Sequence, residues 1–186
     1  MRLEILPLSE RSPRLLENGE VDLILSGQSF DIGVPPSTCL LEDQYVCIAC
    51  SKMGLPGEKL LPQEFASSEH VVVRYFDEQM TFEDEDALRK AGVVRTRRIT
   101  TWSHAHVASL VCGTAMLATI PARIAHDLAK RWSIKILPFP FLHEPIRVFA
   151  YWHPSRDKDA ILDALVGAAK SILDKTNNSF DTQLRY

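Results

Sequence analysis

The sequence predicts an α/β protein built as two lobes with a ligand cleft between them. Three observations support this. Short apolar strands alternate with amphipathic helices, and Pro/Gly-rich stretches at residues 53–62 and 138–145 interrupt that alternation twice. A final strand and helix then return to the first lobe. At 186 residues, 46% apolar and 24% charged, the chain is long enough to bury a core.

Each element has its own signal. Leu3, Ile5, Leu6 and Leu8 form a short apolar run that predicts a strand, broken by Pro7 and Ser9. Pro13 stands just inside a helix carrying Leu15 and Leu16, and Asn18-Gly19 stops it. Val21, Leu23, Ile24 and Leu25 read as a strand that is apolar on both faces, as in a parallel sheet. Residues 28–37 are a polar Gly/Pro-rich loop, and strands follow at Leu40-Leu41 and at residues 45–49. Residues 53–62 are the expected crossing into the second lobe.

There, residues 71–75 form a β-branched strand, and Thr81 with Asp84 reads as a capping box. The helix it opens carries Ala87, Leu88 and Ala91 and stops at Gly92. Residues 93–101 predict a strand that exposes Arg95, Arg97 and Arg98. Ser103 is the expected N-cap of a helix through Val107, Leu110 and Val111, ending at Gly113. Residues 115–120 read as a buried strand, Pro121 opens a helix with Ile124, Ala125 and Leu128, and residues 134–137 close the lobe. Residues 146–152 form a returning strand, and after Pro154-Ser155 a helix repeats Ile161, Leu162, Leu165, Val166, Ala169, Ile172 and Leu173 at helical spacing. The expected boundaries are residues 1–66 with 144–175 for lobe 1, 67–143 for lobe 2, and 176–186 for a polar tail.

Composition excludes several classes. The formal net charge is −3, with Lys and Arg spread among acids, which argues against direct contact with nucleic acid by this chain. Met1 opens directly onto the first apolar run, and the apolar stretch 107–120 is too short to cross a bilayer, so the expectation is a reduced, cytoplasmic protein. Cys47-Ile48-Ala49-Cys50 is a CxxC, but on a strand its two sulfurs point to opposite faces, and no second CxxC completes a zinc site. His104 and His106, two apart on a helix, also diverge. No metal and no cofactor are therefore expected. GxSxG, GxGxxG and the P-loop motif are all absent, and no acid and base stand paired at useful spacing, so catalysis is not expected. The basic cluster Arg89, Lys90, Arg95, Arg97 and Arg98 is expected to pair with Glu83, Asp84, Glu85 and Asp86.

Arg123 is the leading binding candidate. It lies in the first turn of a helix, where backbone N–H groups lack partners and a cation is disfavoured. A bound anion would relieve that conflict, and arginine offers a fork for a carboxylate. The alternative is an acid of the same lobe.

Ordered motifs then resemble a known family. The segment LEILPLSERSPRLLENGEVDLILS, with Gly19, Asp22 and Leu23 as a G-x-x-D-L turn, is similar to the first-lobe core of LysR-type effector-binding domains. LLEDQYVCIACS resembles the family's later strand. HVVVRY, GTAMLATIPARIA and YWHPSRDKD resemble the branch of nodulation and aromatic-degradation regulators, which senses phenolic and other aromatic inducers. The resemblance spans residues 3–175. It implies two Rossmann-like lobes in a periplasmic-binding-protein-like, type 2 fold, and a homodimer or a heterodimer with a full-length regulator. It also implies Arg123, Asp43, Ser103, His104, Thr81 and Met80 as effector contacts. Asp43 departs from the family pattern of His or Asn, so either the effector is neutral or phenolic, or Asp43 pairs with Arg123. Leu3 matches the family's second strand, so the first strand and helix of lobe 1, and the DNA-reading helix-turn-helix before them, are expected to be missing. A stand-alone binding module and a small enzyme on the same fold are the rival readings.

Overall fold

Among the described residues two sheets organise the chain, one of three strands and one of five. The computed structural model describes residues 3–27, 33–34, 37–53, 57, 59–74 and 83–180. In chain order the elements are α1 (Ser12–Glu17), β1 (Ile24–Gly27), β2 (Thr38–Asp43), β3 (Tyr45–Cys50), α2 (Pro62–Ser67), β4 (Glu69–Val73) and α3 (Glu83–Lys90). There follow β5 (Thr96–Thr101), α4 (His104–Val111), β6 (Leu117–Pro121), α5 (Ala122–Ala129), β7 (Ile134–Pro138), β8 (Ile146–Tyr151) and α6 (Ala160–Phe180).

The chain divides into Met1–Glu42 with Arg147–Tyr186, and Asp43–Ile146. The first division falls earlier than the expected crossing at residues 53–62. The reason is strand pairing: β3 hydrogen-bonds to β6 on one side and β7 on the other, so it belongs to the second unit.

The first unit holds the sheet β1-β8-β2. Its core gathers Leu16, Ile24 and Tyr151, with Leu8, Val21, Val34 and Phe149 packed around them. Here β1 corrects the sequence expectation. It runs antiparallel to β8 and its burial alternates, with Leu25 half exposed, rather than lying buried on both faces of a parallel sheet. Residues 3–8 form no strand, and Leu3, Ile5 and Leu6 are exposed, because no partner strand pairs with them among the described residues. The polar 176–180 segment, expected as tail, continues α6 to Phe180.

The second unit has order β5-β4-β6-β3-β7. β4 lies parallel to β5 and β6, and β3 runs antiparallel between β6 and β7. Val46 and Ile48 of β3, Val71 of β4, and Ala118 and Ile120 of β6 meet Val107, Ala108 and Val111 of α4 and Ala122, Ala125 and Leu128 of α5. The alternate residues build a second, aromatic layer in which Phe65 of α2 touches His70, Phe139 and Phe141 at 4.4, 5.7 and 5.2 Å between ring centroids. The alternation rule thereby decides which side chains belong to which layer.

Arg95 is a further correction. Expected exposed, it is 6% exposed, because the acids of α3 draw it in. Its guanidinium reaches Asp84 at 2.9 Å and Glu85 at 2.5 Å, while Arg97 reaches Glu85 at 3.3 Å. The expected capping box cannot be placed, since Thr81 lies outside the described residues, but the Asp84 carboxylate points to Arg95.

Candidate ligand-binding site

Strand direction sets one end of the five-stranded sheet apart. The parallel strands β4, β5 and β6 finish there, at Val73, Thr101 and Pro121, and β3 begins there, Tyr45 facing Pro121. From β4 the chain goes to β5 on one side and then to β6 on the other. This reversal is the switch point at whose carboxyl edge open α/β sheets hold ligands. Both α4 and α5 start at this edge and pack on the same aliphatic layer.

The expected site residues distribute as follows. Arg123 is half-buried in the first turn of α5, and its backbone N–H donates to Oδ2 of Asp43 at 3.2 Å. Oδ1 of Asp43 accepts from the Gln44 N–H at 2.8 Å, and the Ala122 N–H donates to the Gln44 carbonyl at 2.8 Å. Pro121 supplies no side-chain cap, so Asp43 is the carboxylate at this helix start. The conflict between a cation and a helix N-terminus is thus met by an acid of the same unit. Burial pushes the Asp43 carboxyl up, while the N–H groups of Gln44 and Arg123 and the Arg123 charge pull it back.

Ser103 caps α4 as expected, its Oγ accepting from the Ala105 N–H at 3.2 Å. His104 follows, half-buried, and desolvation pushes its imidazole down to about 4, so it is neutral near pH 7. Met80 and Thr81 lie outside the described residues. The structure therefore brings Asp43 and Arg123 together and sets Ser103 and His104 at the same edge.

The sequence reading missed His126. Three residues after Arg123 on α5, it shares that side of the helix and interacts electrostatically with Asp43. Burial lowers its imidazole and the Asp43 charge opposes that. The i, i+3 spacing from Arg123 was the available signal.

Among the described residues no group of three or more His, Cys, Asp or Glu side chains could hold a metal, and no helix is long and apolar enough to cross a membrane.

This fold is shared with solved regulatory domains of periplasmic-binding-protein-like type 2 architecture. The regulatory domain of MexT, a transcriptional activator in Pseudomonas aeruginosa, superimposes with a TM-score of 0.68 at 20% identity, over 87% of this chain and 79% of that one. The LysR substrate binding domain model matches residues 1–173, and the chain belongs to that family. Nodulation protein D 3 of Mesorhizobium japonicum is 28% identical over 142 residues, 74% of this chain and 46% of the relative. Nodulation protein D 2 of Rhizobium tropici is 24% identical over 156 residues, 84% of this chain and 49% of the relative. The chain spans about half the length of the curated relatives it matches.

Proposed function

We propose that this chain is the effector-sensing part of a cytoplasmic transcriptional regulator, and that its effector is a small phenolic compound. The carrying observation is the Asp43 carboxylate seated at the start of α5 beside Arg123. An incoming carboxylate would meet a like charge in the place where it needs a donor, whereas a phenol hydroxyl donates to Asp43 and offers its oxygen to Arg123. Neutral His104 and the Ser103 hydroxyl supply further polar contacts without adding charge. Met80 and Thr81 complete the set that the family pattern implies. The effector shifts the populations of conformers and subunit arrangements, and DNA is read by another segment or by a partner subunit in a homodimer or heterodimer.

A thermal-shift panel of simple phenols and matched benzoates tests this. At 100 times its dissociation constant a ligand stabilises by about 2.7 kcal/mol, roughly 5–11 °C for a chain of this size. Phenols are expected to raise Tm and benzoates to leave it unmoved. Benzoates acting while phenols do not would reverse the reading.

A further inference from the structure

The end of the five-stranded sheet opposite the ligand edge is built from two chain segments that interlock. There β3 stops at Cys50, α5 stops at Ala129 and β7 starts at Ile134. Cys50 faces Ile134 across the sheet, and Ala49 faces Lys135. The Ser51 N–H donates to the Ser133 carbonyl at 3.0 Å, and the Lys135 ammonium donates to the Gly57 carbonyl. The turn out of α5 is held as well. The N–H groups of Arg131 and Trp132 both donate to the Leu128 carbonyl, at 3.0 and 2.9 Å. Residues 51–59 and 127–135 therefore meet in one hydrogen-bonded corner of the second unit.

That corner is basic. Its segments carry Lys52, Lys59, Lys130, Arg131 and Lys135 against Asp127 and Glu58, on a chain whose formal net charge is −3. Glu58 lies outside the described residues. Two of the cations share one acid in the open. Arg131 stands 2.6 Å and Lys130 3.5 Å from Asp127, with side chains 68% and 70% exposed. Such pairs are weak, and they leave most of the positive field in place. The cluster Arg89, Lys90, Arg95, Arg97 and Arg98 differs, because Glu69 and the acids of α3 pair with it. The α5 dipole favours Lys130 and Arg131 at its C-terminal end. It does not account for Lys52, Lys59 and Lys135, nor for Trp132, 40% exposed, and Met53, 50% exposed, on the same two segments. An indole and a thioether left in water forgo the burial such side chains ordinarily gain.

We infer that this corner is a docking surface for an acidic segment of a partner protein, one with carboxylates on either side of an apolar side chain. The carboxylates pair with Lys52, Lys130 and Arg131, the last offering its fork. The apolar side chain packs on the Trp132 indole and the Met53 side chain. Trp, Met and Arg are the residue types enriched where proteins meet, and Trp and Arg carry the largest single contributions to binding. A nucleic acid fits less well. Its phosphates would use the cations but leave Met53 in water, and the remainder of this net-negative chain repels a long polyanion. The surface lies at the opposite end of α5 from Asp43 and Arg123, so this inference does not depend on the effector proposed there.

The test uses the purified chain and an array of short synthetic peptides rich in Asp and Glu, with one Leu, Phe or Met placed at each position in turn. A second array replaces the acids by Asn and Gln. Acidic peptides with an internal apolar residue are expected to bind, and their amide counterparts are not. Fluorescence anisotropy on the strongest binder then reads the variants. Trp132→Ala should weaken it about 30-fold, and Lys52→Ser and Arg131→Ser about 2- to 5-fold each. Asp127→Asn removes the acid that competes for Lys130 and Arg131, so it should tighten binding about 2- to 5-fold, which a merely structural role would not do. Melting curves check that each variant folds. Lys52 and Trp132 stand on different segments, so Lys52→Ser tests the surface even where Trp132→Ala fails to fold. The proposal is overturned if neither array binds, if the amide array binds equally well, if Lys52→Ser and Arg131→Ser leave binding unchanged, or if a labelled DNA duplex binds more tightly than every peptide.

Discussion

Replacing Arg95 by Met should be among the most damaging single changes in the second unit, and its cost should depend on pH. The Arg95 side chain is 3% exposed and the Asp84 side chain 7%, with 2.9 Å between their charged atoms. Arg95 Nε also donates to Glu85 at 3.0 Å. Removing one partner of such a buried group leaves carboxylates uncompensated, which costs about 3–5 kcal/mol. That corresponds to a fall in Tm of roughly 6–20 °C. Arg97, with its side chain 40% exposed and 3.3 Å from Glu85, serves as the control, since such exposed pairs contribute at most about 1 kcal/mol.

The pH dependence follows from the two acids. Burial holds the Asp84 carboxyl above its ordinary 3.8. Burial would also raise Glu85, but the Arg95 charge carries it below 4.5. Glu85 therefore contributes stability that is present above 4.5 and lost as pH falls through its lower folded value. Without Arg95 both folded values rise, so each carboxyl is neutralised at a higher pH. The deficit of the variant is then largest near pH 7 and shrinks as pH falls toward 4.5. Urea denaturation followed by circular dichroism at pH 7.5 and 5 measures both quantities. A loss below 1 kcal/mol, or one equal at the two pH values, would refute this account of the triad.

Three further outcomes are expected. Asp43→Asn keeps the acceptor for the Arg123 N–H but removes the charge, so benzoates should gain about 10-fold or more in affinity by titration calorimetry, and an unchanged preference would count against the proposed site. His70→Phe should flatten the acid limb of stability: burial holds His70 neutral, down to about 4, with Nε2 against the Phe65 carbonyl. The lowered value means stability present above pH 6.5 and lost as pH falls toward 4, roughly 3 kcal/mol at most, and chemical denaturation across that window reads it. Ser103→Ala should cost about 1 kcal/mol in the ligand-free chain through loss of the α4 cap, and an unchanged Tm would show that the hydroxyl has no capping role.

Local chemistry was legible along the chain. The Asn18-Gly19 and Gly92 helix stops, the Ser103 cap, the helix opened at Pro121 and the apolar strands β3 and β6 all stand where spacing and turn residues put them. These are decisions taken within a few residues, by capping bonds, φ restrictions and side-chain period. The motifs that resemble the LysR family likewise pointed to the α/β fold before any coordinates. Pairing was not legible. That β1 is half exposed against β8, that β3 joins the second unit, and that residues 3–8 form no strand depend on which strand lies alongside, and an apolar run does not name its neighbour. The same holds for charge. A stretch rich in Arg and Glu reads as a solvated edge until tertiary contact buries Arg95 between Asp84 and Glu85, places Asp43 at the start of α5 some 80 residues away, and brings the Gly113 N–H to the Cys50 sulfur. Sequence by itself determined the elements and their caps. Only tertiary structure decided the partners, because hydrogen bonds and ion pairs between distant residues carry no local periodicity.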